Sequence, residues 1–166
     1  GWQQMNPPVS APVSDKSSVE ATTQTPSAEP ELGSTVDDAS IAVLPFADMS
    51  PEGDQGYFSD GVSEEILNVL AKIEGLRVAS RTSAFAYKNS QQRIPEIARE
   101  LQVRHILEGS VRRAGDTIRV TAQLIDAETD EHLFSETFDR TLTAENVFAI
   151  QGDIAQLIAT ALSERI

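Results

Sequence analysis

The chain offers few side chains whose types and spacing could do chemistry, and each candidate lacks a partner. Gly53-Asp54-Gln55-Gly56 follows an apolar run and precedes a helical pattern, where a phosphate-binding loop would sit. It has neither Gly-x-x-x-x-Gly-Lys-Ser/Thr nor Gly-x-Gly-x-x-Gly. Asp48, Glu52, Asp54 and Asp60 around it would repel phosphate unless a metal intervened, so a structural loop is expected. His105 and His132 are the only histidines, each at an expected strand start, with no carboxylates spaced to complete a metal site. Ser110, in Glu-Gly-Ser-Val, lacks the second glycine and the strand-to-helix turn of a nucleophile elbow. Glu64 and Glu65 are adjacent on a helix and point apart rather than flanking a substrate. The residues therefore predict no catalytic group, no cofactor and no metal site.

What rises above this background is a polar surface. Residues 104–140 read as three strands: RHILEGSVRRA, DTIRVTAQLIDA and EHLFSETFDR. Gly115 can supply the positive φ of the first hairpin, and Glu128-Thr129-Asp130 suits the second. Placing Arg113 opposite Asp116 sets Leu107, Gly109 and Val111 against Ala122, Val120 and Ile118. Centring the next turn on Thr129 sets Leu124 against Phe134 and Val120 against Phe138, on the same apolar face. The reverse face then carries Glu108, Ser110, Arg112, Arg119, Thr121 and Asp139, with Arg119 facing Asp139 and Ser110. Cross-strand pairing on a solvated face accounts for such a pattern. The sharper reading is a protein-docking platform, since arginine set among small hydroxyls suits one.

The remaining elements must hold that meander. Ile41-Ala42-Val43-Leu44-Pro45-Phe46 is a short apolar run, expected as a strand buried on both faces, with Pro45 at its end or edge. Phe58, Val62, Ile66, Val69, Leu70 and Ile73 keep one helical face, with Ser59 or Asp60 as cap and Gly75 closing the end. Leu76-Arg77-Val78-Ala79 is a second strand, followed by a polar connection over residues 81–92 and a short helix opened by Pro95. Val147, Ile150, Ile154, Leu157, Ala161 and Leu162 trace a final long helix. The order β-α-β-α-β-β-β-α predicts an α/β domain over residues 39–166 with a mixed sheet, its opening strands parallel.

Residues 1–38 hold five of the eight prolines among Ser, Thr, Ala, Gln and Glu, and are expected to be a disordered linker. Of the formal net charge of −13, −5 falls on this segment and −8 on the rest. That sign opposes a nucleic-acid footprint and attachment to anionic lipid. Absence of cysteine excludes disulfides and thiolate chemistry, and no apolar run approaches the roughly 18 residues of a membrane helix. Starting at Gly1 and stopping within a helical pattern, the chain is expected to be a piece of a longer protein. Composition and spacing alone go no further than an α/β domain without visible chemistry.

Residues 41–166 resemble the TolB-like amino-terminal domain family. SIAVLPFADMS, YFSDGVSEEILNVLAKIEGLRVASRTSAF, IARELQVRHILEGSVRRAG and IRVTAQLIDAETDEHLFSETFDR carry the resemblance, most clearly at Gly56–Gly61 and Leu107–Arg112. It implies a mixed five-stranded sheet flanked by helices, akin to the amino-terminal domain of TolB and the anticodon-binding-like fold. It implies no catalytic residues. In such proteins the domain is one module of a membrane-anchored bacterial signalling chain. An adenylate cyclase or winged-helix domain precedes it, a membrane helix lies between, and tetratricopeptide repeats follow. The resemblance thus implies a periplasmic sensory or protein-interaction domain, attached to the membrane only outside this fragment; the cytoplasm is the alternative compartment. A small-molecule sensor using residues 47–60 and 81–92 is the alternative function.

Overall fold

The computed structural model describes residues 36–166. The linker expected over residues 1–38 lies outside the described residues, except for residues 36–38. Strand β1, Ser40–Val43, is buried throughout because it is paired on both edges and covered on both faces. It runs parallel to β3, Arg77–Val78, on one side and to β4, His105–Ala114, on the other. Antiparallel β5, Thr117–Asp126, and β6, Glu131–Thr141, extend the sheet, giving the order β3-β1-β4-β5-β6.

The apolar run at residues 41–46 is not one strand. Pro45 offers no donor, and pairing with β4 resumes only at β2, Ala47–Asp48, so the sheet has a sixth short strand. Val43 pairs with Leu107 but Ala47 pairs with Ser110, so four residues on one side match three on the other. This bulge turns Phe46 to the inner face, where its backbone N–H donates to Ser63 Oγ at 2.9 Å. Gly109 lies under the Phe46 ring. A Cβ there would stand 2.5 Å from that ring and 2.2 Å from the Thr121 carbonyl oxygen.

Helix α1, Gly56–Leu70, and helix α4, Val147–Ser163, cover the inner face of the sheet. α1 begins earlier than expected. The Asp48 carboxylate accepts the Gln55 N–H at 2.6 Å and pins the loop, so the helix opens at Gly56. Ser59 and Asp60, expected as caps, lie within the first turns: Ser59 Oγ donates to Gly56 O, and Asp60 pairs with Lys88. On α4 the buried stripe is Ile150, Ile154, Ala155, Ile158 and Leu162, whereas Leu157 is 41% exposed. Gly61 is the contact point with α4, since a Cβ there would meet the Gln151 amide nitrogen at 2.2 Å. The connection after β3 holds a short helix α2, Arg81–Phe85, capped by Ser80. Helix α3, Ile94–Leu101, with Pro95 in its first turn, packs Ile97 and Ala98 on the opposite face over Ala42, Leu44 and Ile106. That second core ends near Ile106, and the outer face beyond it is polar.

The meander's apolar face is as expected: Leu107, Val111, Ile118, Val120, Ala122, Leu124 and Phe134 are buried in one core. Val120 opposes Phe138, and Leu124 opposes Phe134. The first hairpin differs by two residues. Ala114 pairs with Thr117, leaving Gly115 (φ +59°) and Asp116 as a two-residue turn, so Leu107 opposes Leu124, and Val111 opposes Val120. A shift of two preserves the faces, so the buried side matches the alternation although the cross-strand partners differ. At the far hairpin the register slips between Leu124 and Ile125, and Asp130 adopts φ +61°.

Arg104 fastens the strand starts. Its guanidinium meets Asp126 at 2.9 and 3.1 Å and Asp38 at 2.9 Å, while its backbone N–H donates to Ser40 Oγ at 2.8 Å. His105 is buried, and its Nδ1 donates to the Ser40 carbonyl at 3.0 Å, a structural role. The Arg104 hydrogen bond holds the Asp126 carboxyl below the ordinary 3.8 against the opposing effect of burial. Asp126 therefore stabilises the fold fully above that value, and the contribution fades as pH falls through the lowered one.

Two outcomes follow from this packing. Gly109→Ala should cost about 3 kcal/mol in urea unfolding, because backbone bounds the space; a loss under about 1 kcal/mol would contradict the Phe46 seating. Arg104→Met should cost about 2 kcal/mol at neutral pH, and the gap to the wild type should close as the acid transition is approached. A gap unchanged in acid would contradict the role given to Asp126.

Candidate functional site

On the outer face of β4, β5 and β6 the side chains form three ranks. Glu108, Gln123 and Ser135 make the first, Ser110, Thr121 and Thr137 the second, and Arg112, Arg119 and Asp139 the third. All six residues singled out in the sequence share this face. The two-residue correction puts Thr121, not Arg119, opposite Ser110, and sets Arg112 beside Arg119. Asp139 holds Arg119 through two hydrogen bonds of 2.7 and 2.9 Å, which lower the Asp139 carboxyl and raise the Arg119 guanidinium. Both side chains are about half exposed, at 47% and 55%, so solvent screens the pair and it orders the surface more than it stabilises the fold. Thr121 and Thr137 hydroxyls are 3.4 Å apart. These residues form one polar platform across the three strands.

A second surface escaped the sequence reading. Tyr57 is 97% exposed and Phe148 is 84% exposed, although Tyr57 neighbours the core residue Phe58, and Phe148 neighbours Val147, which packs against that core. They open α1 and α4 and line one groove of about 450 Å³ with Asp54, Arg113, Leu142 and Gln151. One step along a helix is a turn of about 100°, so a residue beside a stripe position is carried off the stripe. An aromatic at such an off-stripe position was the available signal. Burying both rings would remove a few hundred square ångströms from water, roughly the contribution of a strong interface anchor.

Third, a crevice of about 450 Å³ opens beyond the carboxyl end of β1, between residues 44–59, residues 87–97 and the middle of β4 at Glu108 and Gly109. It joins the two segments singled out as a sensor alternative. Glu108 lines it from the platform side. Burial pushes the Glu108 carboxyl above its ordinary range, with His132 opposing and Asp130 reinforcing the shift. Among the described residues no three His, Cys, Asp or Glu groups converge as metal ligands.

Residues 37–157 match the family "HilA/YgeH-like transcriptional regulator, second domain". The chain belongs to that family. It is also 50% identical over 123 residues to "Putative adenylate cyclase 3" of Rhizobium meliloti (strain 1021), covering 74% of this chain and 21% of that protein. The chain thus spans about a fifth of the length of this curated relative. Among solved structures it is similar to lipoprotein GNA1162 from Neisseria meningitidis, with a TM-score of 0.54 at 18% identity over 76% of this chain and 95% of that one. It is similar too to TolB from Acinetobacter baumannii, with a TM-score of 0.53 at 18% identity over 79% of this chain and 30% of TolB. At these identities the likeness is one of fold: a mixed sheet with flanking helices. The TolB resemblance read from the sequence therefore holds for the architecture, while the regulator domain gives the family.

If the platform and the aromatic groove carry no structural duty, Arg119→Ala and the double variant Tyr57→Ser/Phe148→Ser should leave the thermal unfolding midpoint unchanged. A clear loss for either in calorimetry would make that surface part of the scaffold instead.

Proposed function

We propose that this domain is a non-catalytic protein-interaction module of a larger bacterial signalling protein, of the cyclase or transcriptional-regulator type. The observation that carries the reading is the pair of nearly fully wetted aromatics, Tyr57 and Phe148, flanking one groove. Exposed aromatic anchors beside a concavity are what a partner's apolar socket buries. The partner's rim is basic, because residues 39–166 carry a net −8 and complementary charge speeds and orients docking. Relatedness both to a regulator domain and to part of a protein named as a cyclase supports an input role shared by different outputs.

The outer platform, Glu108, Ser110, Arg112, Arg119, Thr121 and Asp139, is proposed as a second docking surface, favoured by the open face and the fixed Arg119–Asp139 fork. Periplasmic exposure, a membrane anchor outside this fragment and neighbouring tetratricopeptide repeats belong to the same proposal, with the cytoplasm as the alternative compartment. These 166 residues hold no cysteine, so one can be introduced into the domain and compared with the unsubstituted parent protein. Thr137→Cys in the parent protein should react in intact cells with a maleimide that cannot cross the inner membrane, and labelling only after lysis would move the domain to the cytoplasm.

The partner test is affinity capture from the source bacterium. Tyr57→Ser/Phe148→Ser should lose a specific protein that the wild type retains, and Arg119→Ala should weaken retention without changing thermal stability. Equal capture by all three chains would overturn the interaction reading at both surfaces.

A further inference from the structure

We infer that the crevice beyond the carboxyl end of β1 is a binding site for a small organic cation with an apolar body. The location is the first reason. β1 leads into α1, which packs on the inner face, and β3 leads through α2 into α3, which packs on the outer face. The crevice lies past the carboxyl end of β1, between residues 44–59 on the way to α1 and residues 87–97 on the way into α3, and open α/β sheets bind ligands outside the carboxyl ends of their strands. The crevice is lined on its apolar side by Leu44, Ile94 and Ile97 of the outer-face core, and its volume of about 450 Å³ falls within the range of small-molecule sites.

The second reason is which polar groups remain free. Nearly every polar side chain in the wall already has an internal partner. Asp48 accepts the backbone N–H groups of Ser50 and Gln55, Lys88 pairs with Asp60, and Tyr87 donates to Glu100. Ser90 accepts from the Gln92 N–H, Gln92 donates to Glu100, and Ser59 donates to Gly56 O. Two side chains in the lining make no hydrogen bond or ion pair among the described residues: Glu108 and Asn89. Glu108 is a half-buried carboxylate, and burial disfavours its charge. Asn89 lines the crevice from an exposed turn where its backbone is left-handed, φ +63°.

An ammonium group supplies what Glu108 lacks among the described residues: a charged partner within hydrogen-bond reach, with two or three donors in a partly desolvated place. The Asn89 amide offers both a donor and an acceptor to a second polar group on the same ligand. The apolar walls take the body between them. A phosphate or carboxylate ligand is disfavoured, because the wall's lone cation, Lys88, is already bound to Asp60. This inference concerns a different part of the molecule from the Tyr57–Phe148 groove and stands or falls separately.

Tyramine, which combines an ammonium group, an apolar ring and a hydroxyl, and cadaverine are suitable probes, with tyrosol as the neutral counterpart of tyramine. In a proton–nitrogen correlation titration of the 166-residue chain, both amines should produce saturable shifts at residues 44–49 and 87–92. Tyrosol should not. Glu108→Gln should weaken amine binding at least tenfold, and Asn89→Gly, which keeps the positive φ, should weaken tyramine more than cadaverine. Spectral dispersion equal to the wild type verifies that each variant is folded. No saturable shift with either amine at millimolar concentration, equal binding of tyrosol, or unchanged affinity in Glu108→Gln would each overturn the inference.

Discussion

The close approach of the Phe46 ring to Gly109 sets the geometry of this domain. Pro45 cannot take its place in the parallel ladder, so the chain slips by one residue and turns Phe46 inward. That ring needs the space that only glycine leaves on β4. Because the slip carries the following residues on alongside the middle of β4, the same event shapes the crevice wall at residues 44–49. It also brings Asp48 to the Gln55 N–H and so fixes where α1 starts. The position of Tyr57, one residue into that helix, descends from a proline twelve residues earlier.

The opposite end of the sheet is built for rigidity. Arg104, Ser40, His105 and Asp126 join β1, β4 and β5 through buried or half-buried hydrogen bonds, none of which is free for a ligand. At the other end lie the polar platform's charged rank, the aromatic groove and the crevice mouth. A scaffold clamped at one end and chemically open at the other suits recognition, since loops and helix starts can vary there without disturbing the core.

Much of this was legible in the sequence, for physical reasons that can be named. Alternation in β4, β5 and β6 revealed the faces, because burying one side of a sheet constrains every second residue. It did not reveal the exact partners, because a shift of two residues preserves that alternation and only the turn chemistry at Gly115 and Asp116 decides it. The start of α1 was misplaced because Ser59 and Asp60 are good caps in isolation, whereas the loop closure by Asp48 that overrides them is a tertiary contact. Leu157 was assigned to the buried stripe by its type, although Ile158 and Ala155 supply the packing. Tyr57 and Phe148 were overlooked because apolar residues are expected inside; their off-stripe positions mark them as outward-facing. The crevice could not be read at all, since it requires the path of two connections on opposite faces.

The central claim is that the ends of α1 and α4 meet another protein. A photoreactive phenylalanine analogue placed at Tyr57 in the parent protein, in living cells of the source organism, tests it most directly. The account predicts one discrete adduct from that position and none from the same group at Leu157, which is exposed on α4 but lies outside the groove. No adduct from Tyr57, or indistinguishable adducts from the two positions, would contradict it.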